Sequence, residues 1–391
     1  MGFRLLATCP STAARAGLLT TPHGELRTPI FMPVGTLATV KSLTPLDLRT
    51  SGAECVLANA YHLALRPGAE VVAGLGGLHR FMGWPGPILT DSGGFQLYSL
   101  DRLCQTAEDA VRLRSHLDGS SIELSPESAV RTQELLGSDL IMPLDICLGS
   151  GAGPDETTAA LERTRRWAVR SLEVHRRSDQ QLFGIVQGGL DPRLRREAAR
   201  DLHSLPLAGF AIGGLSVGEP RTTTDQLVAA TAAELPPERP RYLMGVGTPE
   251  QILAYVARGV DMFDCVLPTR FGRTGMAFGA GERINLKRAD FRRDARPIDT
   301  HCDCLTCAGF SRSFLHHAVR EATPLGARLV SLHNTRALIR TAEAARSAIL
   351  SGRFAELLAG RRPVEPCGNR SARADVPGLP RRRGACLAAR A

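Results

Sequence analysis

The chain has 391 residues and 42.0 kDa, is 43% hydrophobic, and carries a formal net charge of +9. That length suits one large domain or two ordinary ones, and no uninterrupted apolar run approaches the roughly 20 residues of a membrane span. The apolar run within residues 1–7 is too short for a secretory signal, so the expected setting is cytoplasmic, with no membrane partner.

The location of the positive charge matters more than its sum. Residues 361–391 hold eight arginines against Glu365 and Asp375, and residues 265–320 hold ten basic side chains against five acids. The rest of the chain is close to neutral. Charge in a Pro/Arg-rich tail is ordinarily a solvated, disordered segment, whereas a basic patch inside a folded region reads as a surface for a polyanion.

In chain order, residues 1–30 read as a short β-rich segment turning at Pro22-His23-Gly24. Short apolar runs then recur at 55–59, 87–91, 140–145, 181–187, 209–214, 242–247 and 262–264. Between most of them lie Arg/Glu/Ala-rich stretches with helical spacing, such as 157–176 and 192–205. Continuous apolar runs alternating with helices indicate buried parallel strands in βα units. Seven such runs suit a (β/α)8 TIM barrel better than a doubly wound sheet, and no GxGxxG follows any of them. A barrel places its active site at the C-terminal ends of its strands. Those ends would gather Asn59, Asp91, Asp145, Gln187, Gly213, Gly214, Gly245 and Asp264, although some strand-end polar residues serve only as turns or caps.

The run 262–264 delivers one carboxylate, Asp264, and is expected to pass into a loop bearing Arg270 and Arg273. A buried carboxylate beside cations stays ionised because the charges lower its pKa, and is then available as a nucleophile or base. Taken alone, Asp264 also reads as a helix cap.

Residues 297–335 break the βα rhythm and read as a small inserted unit. They contain Cys302-x-Cys304-x-x-Cys307, with His333 following. Thiolates at this spacing, completed by a remote imidazole, suit tetrahedral zinc. A disulfide framework does not fit a cytosolic setting, and an iron–sulfur cluster usually takes four cysteines. His301, His316 and His317 lie near enough to compete as fourth ligand, with His333 favoured. Four protein ligands close the site, making one Zn2+ per chain structural. The expected organisation is one domain over 1–360 that includes this insert, followed by a disordered tail at 361–391.

Five motifs now stand in order: Asp91-Ser92-Gly93-Gly94-Phe95-Gln96, Gly213-Gly214-Leu215-Ser216-Val217-Gly218-Glu219, Tyr242-Leu243-Met244-Gly245-Val246-Gly247, the Asp264 run and the zinc ligands. The combination resembles the bacterial type of the tRNA-guanine transglycosylase (queuine tRNA-ribosyltransferase) family over roughly residues 3–358. The resemblance implies a TIM barrel with a zinc-binding subdomain, working as a homodimer on tRNA. It implies exchange of guanine at the anticodon wobble position for 7-aminomethyl-7-deazaguanine, an early step of queuosine modification. By the same resemblance Asp264 is the nucleophile and Asp91 the general acid/base. Asp145, Gln187, Gly213, Gly214 and Leu215 bind the base, Phe95 and Met244 sandwich its ring, and Cys147, Val217 and Glu219 line the side facing its substituent. Gly245, Val246, Gly247, Thr269, Arg270, Phe271, Gly272 and Arg273 are expected at the tRNA, with Arg283, Lys287 and Arg288 near the anticodon-loop phosphates.

One departure concerns Ile146, which stands where bacterial relatives usually carry an acid, followed by a Gly-rich 148–153. Discrimination between guanine and the aminomethyl base is left open by it. The alternative to a transferase is a non-catalytic RNA-binding homologue acting as a partner subunit. Loss of either catalytic aspartate would have signalled that, and both are present.

Overall fold

The structure is a computed structural model and describes residues 2–94, 104–115 and 117–360. Phe95 and the 361–391 tail lie outside the described residues. Strands β1 (Gly2–Thr8), β2 (Arg15–Thr21) and β3 (Gly24–Thr28) form an antiparallel sheet in sequence order. The β2–β3 turn passes through Gly24 at φ 135°, a backbone setting that favours glycine.

The chain then enters β4 (Ile30–Gly35), β5 (Val56–Asn59) and β6 (Ile88–Asp91). An antiparallel excursion follows, β7 (Cys104–Thr106), β8 (Val111–Arg114) and β9 (Ser121–Leu124), before β10 (Leu140–Ile141), β11 (Gln181–Val186), β12 (Gly209–Ile212), β13 (Arg241–Leu243) and β14 (Met262–Cys265). Strands β4–β6 and β10–β14 close an eight-stranded parallel barrel, with β14 paired to β4 so that Asp264 lies opposite Met32. The TIM barrel expected from the sequence is therefore present. Its first strand, β4, is not among the seven apolar runs of the sequence, because it follows the β-rich segment without an intervening helix.

Side-chain parity divides the barrel into an interior and a helix-facing shell, since successive strand residues point to opposite faces. Ile30, Met32, Cys55, Leu57, Leu89, Phe183, Ile185, Ala211, Tyr242 and Met262 pack together inside, over Leu19 and Leu26 of the β1–β3 sheet. Phe31, Leu182, Phe210, Ile212, Leu243 and Phe263 point outward into the helix shell. Both faces are covered, which explains why the strands read as continuous apolar runs.

The helices begin where the sequence supplies caps. Asp191 accepts from the N–H groups of Arg193 (2.7 Å) and Leu194 (3.3 Å) at the start of helix Pro192–His203. Thr248 and Gln251 form a reciprocal capping box for Pro249–Val256. On Pro192–His203 the buried stripe is Leu194, Arg195, Ala198, Ala199 and Leu202, a 3–4 spacing interrupted by one arginine.

After β14, Arg270 and Arg273 fall on a helix, Leu267–Thr274, and not on the expected loop. Pro268 stands in its first turn, where the missing N–H costs nothing. The βα rhythm then breaks at the hairpin β15 (Met276–Phe278) and β16 (Arg283–Asn285), followed by short helices Leu305–Gly309 and Arg312–Arg320. The chain rejoins the barrel along the 27-residue helix Pro324–Leu350. Leu329 and Val330 of that helix pack in the small unit, while Leu338, Ile339, Ala342 and Ala345 pack in the barrel shell. Gly272 lets the helix Leu267–Thr274 approach this long helix closely, since a Cβ there would lie 2.1 Å from Ser331 Oγ.

Candidate active site and metal centre

The inward parity of the barrel continues past its last apolar layer and there turns polar. Asn59 is two residues beyond Leu57, Asp91 beyond Leu89, Gln187 beyond Ile185, Gly213 beyond Ala211, Met244 beyond Tyr242, and Asp264 beyond Met262. One face of the molecule therefore collects most of the strand-end residues picked out from the sequence.

Asp264 is buried, at 8% exposure. Its Oδ1 accepts from the Tyr242 hydroxyl at 2.6 Å and from the Gly245 N–H at 2.7 Å. Among the described residues, Oδ2 has no hydrogen-bond partner. Burial raises the pKa of Asp264 above the usual carboxylate range, against the pull of the Gly245 and Tyr242 hydrogen bonds. This corrects the expectation that Arg270 and Arg273 hold it ionised. Arg270 is exposed, and Arg273 donates to the Thr269 carbonyl at 3.0 Å. Among the described residues neither guanidinium bonds to the carboxylate, and two neutral donors do the stabilising.

Asp91 lies beside Asn59, its register partner across β5 and β6. Asn59 donates from Nδ2 to Asp91 Oδ2, and the Ala60 N–H donates to Oδ1 at 3.0 Å. Burial pushes the Asp91 pKa up to about 7, helped by the nearby charges of Asp264 and Asp145 and opposed by backbone hydrogen bonds from Ala60 and Gly93. A carboxyl half-protonated near neutrality can both give and take a proton.

Asp145 is 5% exposed and accepts at Oδ2 from Gln187 Nε2 at 2.7 Å. Burial pushes its pKa to about 6 against that hydrogen bond. Two glycines make room for the pair. A Cβ on Gly94 would lie 2.3 Å from Asp145 Oδ1, and one on Gly214 would lie 2.2 Å from Gln187 Oε1. Cys147 is half-buried beside them, its thiol pushed up to about 12 by burial and by the Asp145 charge.

Leu215 is buried and Val217 partly so. Glu219 folds back onto its own loop, accepting from the N–H groups of Ser216 (2.5 Å) and Val217 (3.0 Å) and from the Thr224 hydroxyl (2.6 Å). These bonds hold its carboxyl below the usual range although burial opposes them. Ile146 turns away from Asp145 and packs against the cluster of Tyr61, Val111, Leu113 and Trp167, its N–H donating to Thr164 Oγ1 at 3.1 Å.

Of the residues expected at the tRNA, Val246 is 2% exposed, and Gly247 lies against Phe31 and Cys265. Thr269 and Gly272 are buried as well. Phe271 packs on Phe278, with ring centroids 5.6 Å apart, and carries the Arg283 guanidinium over its ring. Arg270, Arg273, Arg283, Lys287 and Arg288 all stand on the exposed surface.

Two site residues were not singled out from the sequence. Tyr242 stands in the sequence only as the first residue of its motif, because nothing local shows that its hydroxyl reaches a carboxylate 22 residues away. Arg195, fully buried, donates to the carbonyls of Gly189 (2.7 Å), Gly213 (3.1 Å) and Gly214 (3.2 Å). Its signal was available: a charged residue on the apolar stripe of an amphipathic helix.

The second centre lies in the small unit. The ligand atoms of Cys302, Cys304, Cys307 and His333 all fall within 4.8 Å of one another. His333 Nδ1 is 3.6 Å from Cys304 Sγ and 3.2 Å from Cys307 Sγ, close to the ligand separations of a tetrahedral thiolate–imidazole site. Its Nε2 lies 2.6 Å from the Phe278 carbonyl, which fixes the tautomer and leaves Nδ1 free to bind a metal. His316 is instead engaged with the Leu286 carbonyl at 2.7 Å. Geometry thus selects His333 from the four candidate histidines.

Comparison with known proteins agrees with this architecture. The family described as Queuine tRNA-ribosyltransferase matches residues 9–363. A Queuine tRNA-ribosyltransferase of a Nostoc species is 52% identical over 354 residues, covering 90% of this chain and 95% of the relative. Proteins of the same name are 49% identical in Moorella thermoacetica, covering 91% and 96%, and 50% identical in Geobacillus thermodenitrificans, covering 90% and 93%. With a closed barrel, convergent strand-end carboxylates and a Cys3His cluster already in place, the chain belongs to the queuine tRNA-ribosyltransferase family, the tRNA-guanine transglycosylases, and is an enzyme of the pentosyltransferase class.

Proposed function

We propose that this enzyme replaces guanine at the wobble position of a tRNA anticodon with 7-aminomethyl-7-deazaguanine, through a covalent ribosyl intermediate on Asp264. The observation that carries the reading is the unlike pair of carboxylates on one face. Asp264 has one oxygen held by two donors and the other open, while Asp91 titrates near 7.

In the first displacement the open oxygen of Asp264 attacks C1′ as the bond to the guanine ring nitrogen breaks. The bonding electrons leave with the ring, and Asp91 protonates it. Asp91 then accepts the ring N–H proton of the incoming base, which attacks C1′ and expels Asp264 as a carboxylate. Two displacements at one carbon preserve the strand and the anomeric configuration, the logic of a retaining glycosidase with a base in place of water. The target nucleotide must leave its stack to reach the pocket. Asp145 accepts from the amino edge of the purine and Gln187 donates to its carbonyl. Val217 and Cys147 bound the substituent, with Glu219 on its loop beside them, and Phe95 and Met244 flank the ring. The exposed arginines and Lys287 contact anticodon-loop phosphates.

Cys302, Cys304, Cys307 and His333 hold one structural Zn2+, which fixes the small unit against the barrel. We place the enzyme in the cytoplasm and assign it a homodimer, with residues 1–360 as the functional unit. No helix of the described residues is long and apolar enough to cross a membrane.

The deciding experiment is tRNA-dependent incorporation of labelled guanine, followed by a chase with the aminomethyl deazaguanine. Label should enter only in the presence of tRNA and leave irreversibly in the chase. A denaturation-resistant enzyme–tRNA adduct that still forms in Asp264→Ala would remove the covalent role of Asp264. Absence of any label in the wild type would remove the whole reading.

A further inference from the structure

Arg195 is a cation with nowhere ordinary to be. It is 0% exposed, and among the described residues no carboxylate lies within ion-pair distance of it. Burying a guanidinium is costly unless its donors are satisfied. Here Nε, Nη1 and Nη2 are spent on three backbone carbonyls, those of Gly189, Gly213 and Gly214, in that order. Those carbonyls belong to the two loops that follow β11 and β12, the loops that also present Gln187 and Leu215. A structural clasp between neighbouring loops could be made from apolar side chains at less cost, so the choice of a buried arginine calls for a further reason.

The reason lies in peptide geometry. In a trans peptide the C=O and the following N–H point in opposite directions. When Arg195 draws the Gly213 carbonyl backward, the Gly214 N–H must face forward, and the same holds for the Gly214 carbonyl and the Leu215 N–H. Among the described residues, neither of those two N–H groups has an acceptor, whereas the preceding Gly213 N–H is used in the strand ladder, donating to Val186 at 3.1 Å. Gly214 adopts φ 63°, and Gln187 leaves it no room for a Cβ. Gly214 lies against Gln187, so its unspent donor is on the side of the pocket assigned to the ring carbonyl, with that of Leu215 next along the loop.

We propose that Arg195 is a positioning residue for base selection. By holding the Gly213 and Gly214 carbonyls at the back of the loop, it keeps the Gly214 and Leu215 N–H groups turned toward the substrate base and so demands a carbonyl, not an amino group, at that ring position. This rests on the base-exchange reading above. Without the guanidinium, either peptide is free to rotate and offer its carbonyl instead, which would suit a purine bearing an amino group there.

The test compares guanine with 2,6-diaminopurine, which carries an amino group in place of the ring carbonyl, as competing inhibitors of labelled-guanine exchange. In Arg195→Met the preference for guanine over 2,6-diaminopurine should fall about tenfold, the worth of one hydrogen bond lost and its replacement gained. The loss should fall on KM for guanine more than on kcat. Arg195→Lys, which keeps the charge but reaches fewer carbonyls, should show an intermediate loss of about threefold and carries the test if the Met variant does not fold. A parallel weakening of both bases in the two variants would mark Arg195 as a structural clasp only and overturn the proposal, as would unchanged selectivity in the lysine variant. Failure of wild-type enzyme to exchange guanine would instead bring down the functional reading beneath it.

Discussion

Strand β6 has a buried carboxylate near each end, and the two live in opposite ways. At its start, the Ile88 N–H donates to Asp139 at 2.8 Å. Asp139 also takes His79 Nε2 at 3.0 Å, His23 Nδ1 at 2.8 Å and the His23 N–H at 3.3 Å, so both oxygens are filled. Burial alone would raise its pKa, but those donors hold it below the usual value. At the other end Asp91 is pushed to about 7, with like charges nearby. Strand β14 repeats the contrast. Asp261, just before it, is clamped by Arg15 at 3.0 and 2.9 Å, while Asp264 has one oxygen open. The N-terminal end of the barrel satisfies its charges. Among the described residues, the C-terminal end gives Asp91 and Asp264 neutral donors only and leaves one oxygen of Asp264 open, which is how a barrel divides stability from chemistry.

The largest effect should come from β14. Asp264→Asn is expected to lower exchange by at least about 10⁴-fold while leaving the melting transition nearly in place. Asp261→Ala should do the reverse, costing about 3–5 kcal/mol because Arg15 is left buried without its partner, with kcat per folded molecule unchanged. Denaturant melts beside turnover measurements decide it. An Asp264→Asn enzyme within tenfold of wild type, or a stable but inactive Asp261→Ala, would erase the division between the two ends.

Strand β6 sharpens the same contrast through pH. Asp91 has a folded pKa above its unfolded one, so its ionisation costs stability, a cost absent below about 3.8 and complete above about 7. Asp91→Asn should therefore be more stable than wild type at pH 8, by up to about 4 kcal/mol for a shift of this size, and lose that advantage toward pH 4. Exchange should fall by about 10²–10⁴-fold. Asp139 has the opposite sign: its contribution is present above the unfolded pKa and is lost as pH falls through the folded one. Asp139→Asn should thus be less stable than wild type at pH 7 and approach it in acid. Parallel pH profiles for the two variants would contradict the assignment.

Much of this is legible because both faces of the barrel strands are covered, so each strand reads as a continuous apolar run. The polar residues that end those runs give Asn59, Asp91, Asp145, Gln187, Gly213 and Asp264. What escaped was whatever depends on long-range register or on helix geometry. β4 was hidden because it abuts β3 with a single residue between them. The partners of Asp264 differ from those expected because Arg270 and Arg273, near in sequence, stand on a helix without bonding to it, while Tyr242, far in sequence, pairs with β14 at Met262. The Cys3His set was legible by spacing. His333, favoured from the sequence, is set by the long helix Pro324–Leu350 with Nδ1 against the sulfurs and Nε2 at the Phe278 carbonyl.

Zinc removal extends the comparison to a region where neither end of the barrel is involved. Metal analysis should return about one zinc per chain, and Cys304→Ser should lose it together with the order of the small unit. Because Leu329 and Val330 sit in that unit while Leu338 and Ile339 sit in the barrel shell, the damage should fade along the long helix. Hydrogen exchange should rise sharply in 276–330 and little beyond 338. Uniform loss of protection through residue 350 would show that the clip supports the barrel as a whole.

The smallest effect belongs to the exposed cations. Arg283 lies over the Phe271 ring with its guanidinium 5.9 Å from the centroid, and Arg273 has one Nη engaged with the Thr269 carbonyl. Replacing either with alanine removes a solvated charge, so stability should change by no more than about 0.5 kcal/mol. The effect on tRNA should be a few-fold rise in KM with kcat unchanged. A phosphate contact adds to the salt dependence of binding through counterion release, so the slope of log KM against log salt should shrink by about one for each true contact. An unchanged slope in Arg283→Ala would confine that side chain to covering Phe271 and move the anticodon loop toward Arg273 and Arg288.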